Sequence, residues 1–93
     1  MKGLLIKTDG TESEVKFGWK VFDEIQDLIR TNVLDSVNLR DGRVMWLDDT
    51  GQNKRLDINE KATKLYHDVC KPGTTYEIVG DVVILNDSDF GGE

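Results

Sequence analysis

The sequence predicts an α+β domain in which a mainly antiparallel sheet carries two packed helices. Three observations lead there. Short apolar or alternating runs are separated by tight turn dipeptides such as Asp9-Gly10 and Asp41-Gly42. Two longer stretches return their apolar residues at intervals of three and four, the helical period. The order is strands, helix, strands, helix, strands, within a length of 93 residues that suits one core. A single domain over 1–85 and a mobile acidic tail over 86–93 are expected.

Leu4-Leu5-Ile6 reads as a buried strand closed by Asp9-Gly10. Val15, Phe17 and Trp19 alternate with Lys16 and Gly18, as in a strand with one covered face, and the two runs form a hairpin. The period then changes. Phe22, Ile25, Leu28 and Ile29 share one side of a helix placed near Lys20–Thr31, with Asp23, Glu24 and Asp27 early and Arg30 late, as the helix dipole favours.

Asp35–Leu39 resumes alternation, Arg40–Arg43 turns, and Val44-Met45-Trp46-Leu47 returns as a strand apolar on both faces, hence central. Asp48-Asp49-Thr50-Gly51 turns again toward a short strand at Lys54–Asp57, completing a meander. Asn59 is a good N-cap for a second helix with the stripe Ala62, Leu65, Tyr66 and Val69, ended by Pro72-Gly73. Tyr76–Leu85, rich in β-branched residues, is a final strand with a hairpin turn or bulge at Gly80-Asp81.

The formal charge is −6, unevenly spread: 8 acidic and 7 basic residues through Trp46, then 10 acidic and 5 basic. A direct reader of nucleic acid would show a basic stripe, and none exists. The acidic excess suits solubility or docking onto a basic protein. One cysteine, Cys70, cannot form an internal disulfide, and the N-terminal apolar run is too short for a signal peptide or membrane span. These features point to the cytoplasm and away from membranes.

No constellation for chemistry emerges. His67 and Cys70 share a helix side, but a structural zinc site needs four ligands and no other Cys or His exists; only a half-site shared between two copies stays open. Cys70, at a helix C-terminus, meets the wrong dipole end for a thiolate. Asp48-Asp49-Thr50-Gly51 lacks the alternating acids and closing Glu of a calcium loop. No catalytic residue, metal or cofactor is therefore assigned. Trp19 and Trp46 are expected in the core, although either on an open sheet face would make an interface anchor.

Four elements in order also carry a family likeness: Asp41-Gly42-Arg43-Val44-Met45-Trp46, the acidic-glycine turn Asp48–Gly51, the Asn59–Tyr66 helix start, and Val79-Gly80-Asp81-Val82-Val83-Ile84. With the opening Met1–Ile6, they make Val37–Leu85 resemble the family called domain of unknown function 3846. Two departures are Asn32-Val33-Leu34-Asp35, where a Gly-rich start is common, and Leu56–Asn59, which lacks a proline many members have. The resemblance implies an accessory protein of a phage, prophage or plasmid, working in a host bacterium, of a kind that often inhibits host defence.

The expected function is then binding to a basic host protein, such as a nuclease or CRISPR effector. Asp48, Asp49, Asp57, Glu60, Asp81, Asp87 and Asp89 would supply the acidic face, with Trp46 beside them. The alternative is an oligomeric sponge for a nucleotide-derived signal, in a pocket between protomers lined by backbone amides near Asn59 and by Trp46 and Tyr66. Homo-oligomerisation is compatible with both readings.

Overall fold

Four consecutive apolar residues, Val82–Leu85, can all be buried only in a strand covered on both faces, and the computed structural model places them at the centre of the sheet. It describes residues 2–70 and 73–86. The strands are β1 (Lys2–Ile6), β2 (Glu12–Lys16), β3 (Leu34–Asn38), β4 (Arg43–Asp48) and β5 (Val82–Asn86); the helices are α1 (Val21–Ile29) and α2 (Glu60–Asp68). Every pairing is antiparallel, and the order across the sheet is β2-β1-β5-β4-β3. The chain is an α+β domain.

The period of two in β5 decides which helix each residue meets. Val83 and Leu85 pack with Leu5, Phe17, Ile25 and Ile29 beneath α1. Val82 and Ile84 pack with Ile6, Met45, Leu47 and Ala62 beneath α2. The helices therefore cover opposite faces. The expected two-faced strand at Val44–Leu47 is internal as well, lying between β5 and β3.

Gly3 shows how tightly the α1 side is filled. A Cβ there would stand 2.5 Å from Leu85 and 2.9 Å from Phe17, so only glycine lets that aromatic ring lie against β1.

Several local expectations are corrected. The second strand stops at Lys16 instead of running to Trp19. Both oxygens of the Glu24 carboxylate accept the Gly18 N–H, at 3.1 and 2.9 Å, and hold the chain to the helix start once Phe17 has been buried. In α1 the buried line is Ile25 and Ile29, with Val21 packed beside them, while Phe22 and Leu28 are exposed.

Lys54–Asp57 is no strand: residues 51–55 form turns, and only Ile58 bridges to Val79. Beyond β3, the other partner of β4 is β5 and not this segment, so the meander ends there. Within Tyr76–Leu85 the strand begins only at Val82. Gly80 is a bend with φ +81°, neither hairpin nor bulge, and a Cβ there would lie 2.8 Å from Leu56. The helix end expected at Pro72-Gly73 comes earlier, at Asp68, and Pro72 lies outside the described residues. So does the tail beyond Asn86, with Asp87 and Asp89.

Candidate functional site

Two surfaces could meet a partner. The first is the sheet end where β1 and β4 finish and β5 begins. The antiparallel register brings Asp49, Asp57, Glu60 and Asp81 to this end from four separate places in the chain. It does not make them a uniform negative face. A cavity of about 550 Å³ sets Asp57 and Asp81 among Lys7, Arg30 and Lys54, and a neighbouring one of about 350 Å³ sets Glu60 and Asp9 beside Lys61 and Lys64. Asp81 is partly engaged as well, accepting the Thr8 N–H at 3.0 Å.

Asp48 leaves the docking set altogether. Its side chain is 1 % exposed. Oδ1 accepts the Thr31 and Thr50 hydroxyls and the Thr50 N–H at 2.7 to 2.8 Å, and Oδ2 meets Lys54 Nζ at 2.7 Å. Lys54 also donates to the Arg30 carbonyl, so this carboxylate ties the end of α1 to the end of β4. Burial alone would raise the Asp48 pKa, but the bonds from Lys54, Thr50 and Thr31 outweigh it and bring it down to about 2. This is a structural carboxylate.

Asn59 is likewise consumed. Fully buried, it caps α2 by accepting the Ala62 N–H and donates Nδ2 to the Ile6 and Gly80 carbonyls at 2.9 and 3.0 Å. Trp46 packs on the α1 side of the sheet and Tyr66 on the α2 side. Asn59, Trp46 and Tyr66 of one protomer thus share no cavity, so a pocket between protomers would combine them from two copies.

The second surface is aromatic. Trp19, expected in the core, is 90 % exposed, because the strand that would have buried it ends at Lys16 and the Glu24–Gly18 clasp takes the chain outward. Lys20 Nζ sits 5.6 Å from the centre of its ring. Three residues on, Phe22 is 46 % exposed and meets half-buried Trp46 edge-on, with centroids 4.9 Å apart. Trp46 lies on β4 where the α1 side of the neighbouring β3 shows exposed Ser36 and Asn38, so the sheet is open beside it. Asp23 and Asp27 are exposed one turn apart on α1, the helix that carries Phe22.

From sequence, Trp19 and Trp46 are both expected in the core, with either an anchor if it lies on an open face, and Phe22 is placed on the apolar side of α1. The available signal was Gly18, which interrupts the alternation directly before Trp19.

His67 and Cys70 point to different tasks. His67 Nε2 donates to the Tyr76 carbonyl at 2.7 Å. Cys70 is hydrogen-bonded to Tyr66, whose phenol pKa is raised first by that bond and then by burial. Among the described residues no three His, Cys, Asp or Glu side chains are gathered to hold a metal, and no helix is long and apolar enough to cross a membrane. No family model matches this chain, and no curated protein or solved structure matches it either.

Proposed function

We propose that this domain acts by binding a basic protein partner through the aromatic ridge of Trp19, Phe22 and Trp46, as an accessory protein that inhibits a host defence protein such as a nuclease or CRISPR effector. The observation that carries the reading is Trp19, a large ring left in water on a chain segment pinned by a carboxylate clasp. Aromatic side chains are the commonest energetic anchors of protein interfaces, and a pre-set one loses little entropy on binding. The net charge of −6 and the exposed acids Asp23 and Asp27 of α1 supply the attraction to a basic surface. The identity of the partner class rests on the resemblance of Val37–Leu85 to a family of mobile-element proteins.

Affinity capture from bacterial lysate, with wild type and Trp19→Ala in parallel, tests it. A basic protein should be retained at low salt and released as salt rises. Trp19→Ala should fold as wild type does yet weaken that binding by about 2 kcal/mol, roughly thirtyfold. Retention of nothing at low salt, or equal capture by the variant, would reject the reading.

A further inference from the structure

Arg30 adopts left-handed geometry, φ 60° and ψ 52°, at the C-cap of α1. Glycine is the usual occupant there, since a Cβ in this conformation is penalised. The backbone gains nothing from arginine, because the cap bond from its N–H to the Gln26 carbonyl would form equally with glycine. The side chain is the one thing arginine adds. Arg30 lines the cavity of about 550 Å³ between the end of α1 and the loops after β1 and before α2 and β5. That volume lies within the range of small-ligand sites.

We propose that this cavity binds a nucleotide-like phosphate monoester, on a surface separate from the aromatic ridge. Arg30 and Lys7 both line it, and neither enters an ion pair among the described residues. They are the cations available to the phosphate, Arg30 by a two-pronged guanidinium contact and Lys7 as a point charge. Lys54, the third cation of the wall, is already held by Asp48.

Leu5, Leu28 and Leu56 give the cavity an apolar wall for a flat ring. The exposed Asp57 carboxylate faces the same space, where a bare anion would be repelled but ring amino groups could donate to it. Paired cations, an apolar wall and one acceptor together select a body with both a phosphate and ring donors, and disfavour phosphate alone. Asp81 lines the cavity too, with Oδ1 turned to the Thr8 N–H.

Thermal unfolding with adenosine 5′-monophosphate, adenosine and inorganic phosphate, each at the same millimolar concentration, tests the site. A ligand bound only by the folded state raises the melting temperature. The monophosphate should raise it by several degrees, and the other two by clearly less. Arg30→Gly should melt above wild type without ligand, because the left-handed strain is gone, and should lose the monophosphate shift. Arg30→Asn, which also tolerates this geometry, should lose it as well. A melting temperature that the monophosphate leaves unmoved would overturn the proposal. So would a shift that survives both substitutions, or one that inorganic phosphate alone reproduces.

Discussion

Replacing Asn59 with alanine is expected to remove most of the domain's stability. Its side chain makes three hydrogen bonds inside the protein, to Ile6, Gly80 and Ala62, and its backbone makes more, to Ile78 and Thr63. It is the point where β1, the start of α2 and the segment leading into β5 are joined. Loss of the cap alone costs about 1 kcal/mol. The Ile6 and Gly80 carbonyls are then left in a space that admits no water, at about 1–3 kcal/mol each. The sum, about 3–7 kcal/mol, is a large share of the roughly 5–14 kcal/mol that holds a domain of this size together.

Asn59→Asp should be at least as damaging at neutral pH. It keeps the acceptor for Ala62 but turns a carboxylate oxygen toward two carbonyls. Urea unfolding of the two variants measures both. A loss below about 1 kcal/mol for the alanine variant would mean that this junction holds nothing together.

The second large effect is on acid stability, through Asp48. Its pKa is about 2 in the folded protein, against the 3.8 of an ordinary aspartate carboxyl. The folded state therefore binds this proton less readily than the unfolded chain does. The resulting stabilisation is complete above the unfolded value and is lost as pH falls from about 5 toward 2. Full linkage over that gap corresponds to about 2 kcal/mol, and Lys54, whose side chain is 41 % exposed, lets solvent screen the pair below that figure. About 1–2 kcal/mol should thus disappear across that window.

Asp48→Asn should unfold more readily at pH 7 and should show a correspondingly flatter acid limb, because the titrating group is gone. Denaturant midpoints of both proteins, taken at intervals from pH 7 to pH 2, check this. Parallel acid limbs would place the titration elsewhere.

These two residues also show what a linear sequence can convey. Asn59 was legible as an N-cap, because capping is a local relation between a polar side chain and the apolar stripe that follows. Its bonds to Ile6 and Gly80 were not, since those partners lie 53 and 21 residues away. Asp48 carried the opposite signal. Next to Asp49 and Thr50 it looks like turn chemistry on an exposed corner, and only its approach to Thr31, 17 residues earlier, makes it internal.

The sheet was readable where apolar runs were dense. Val82–Leu85 and Val44–Leu47 became internal strands, beside β1, because each needed cover on both faces. Lys54–Asp57 had some alternation but no neighbouring edge to pair with, and it became turns. The edge strand β3 was found, but its finish was not: the Asp35 carboxylate accepts the N–H of the next residue, Ser36, at 2.8 Å, occupying a donor that a further strand could have used.

Trp19 is the clearest case of context overriding pattern. Alternation with Phe17 placed both on one covered face. One residue was buried and the other was not, because the β2 ladder ends between Val15 and Phe17 and alternation means nothing beyond the last paired residue. The separation of Trp46 from Tyr66 onto opposite faces was hidden for a related reason. Helical and strand periods assign each residue a face but do not say which face belongs to which helix.

Binding through Trp19 requires a folded scaffold that keeps an indole in water, ready for a partner. Acrylamide quenching of Trp46→Phe, whose only remaining tryptophan is Trp19, examines this with no partner required. The expected result is a native protein quenched about as readily as the same chain unfolded in urea. A Trp19 shielded in the native state and exposed only on unfolding would contradict the account.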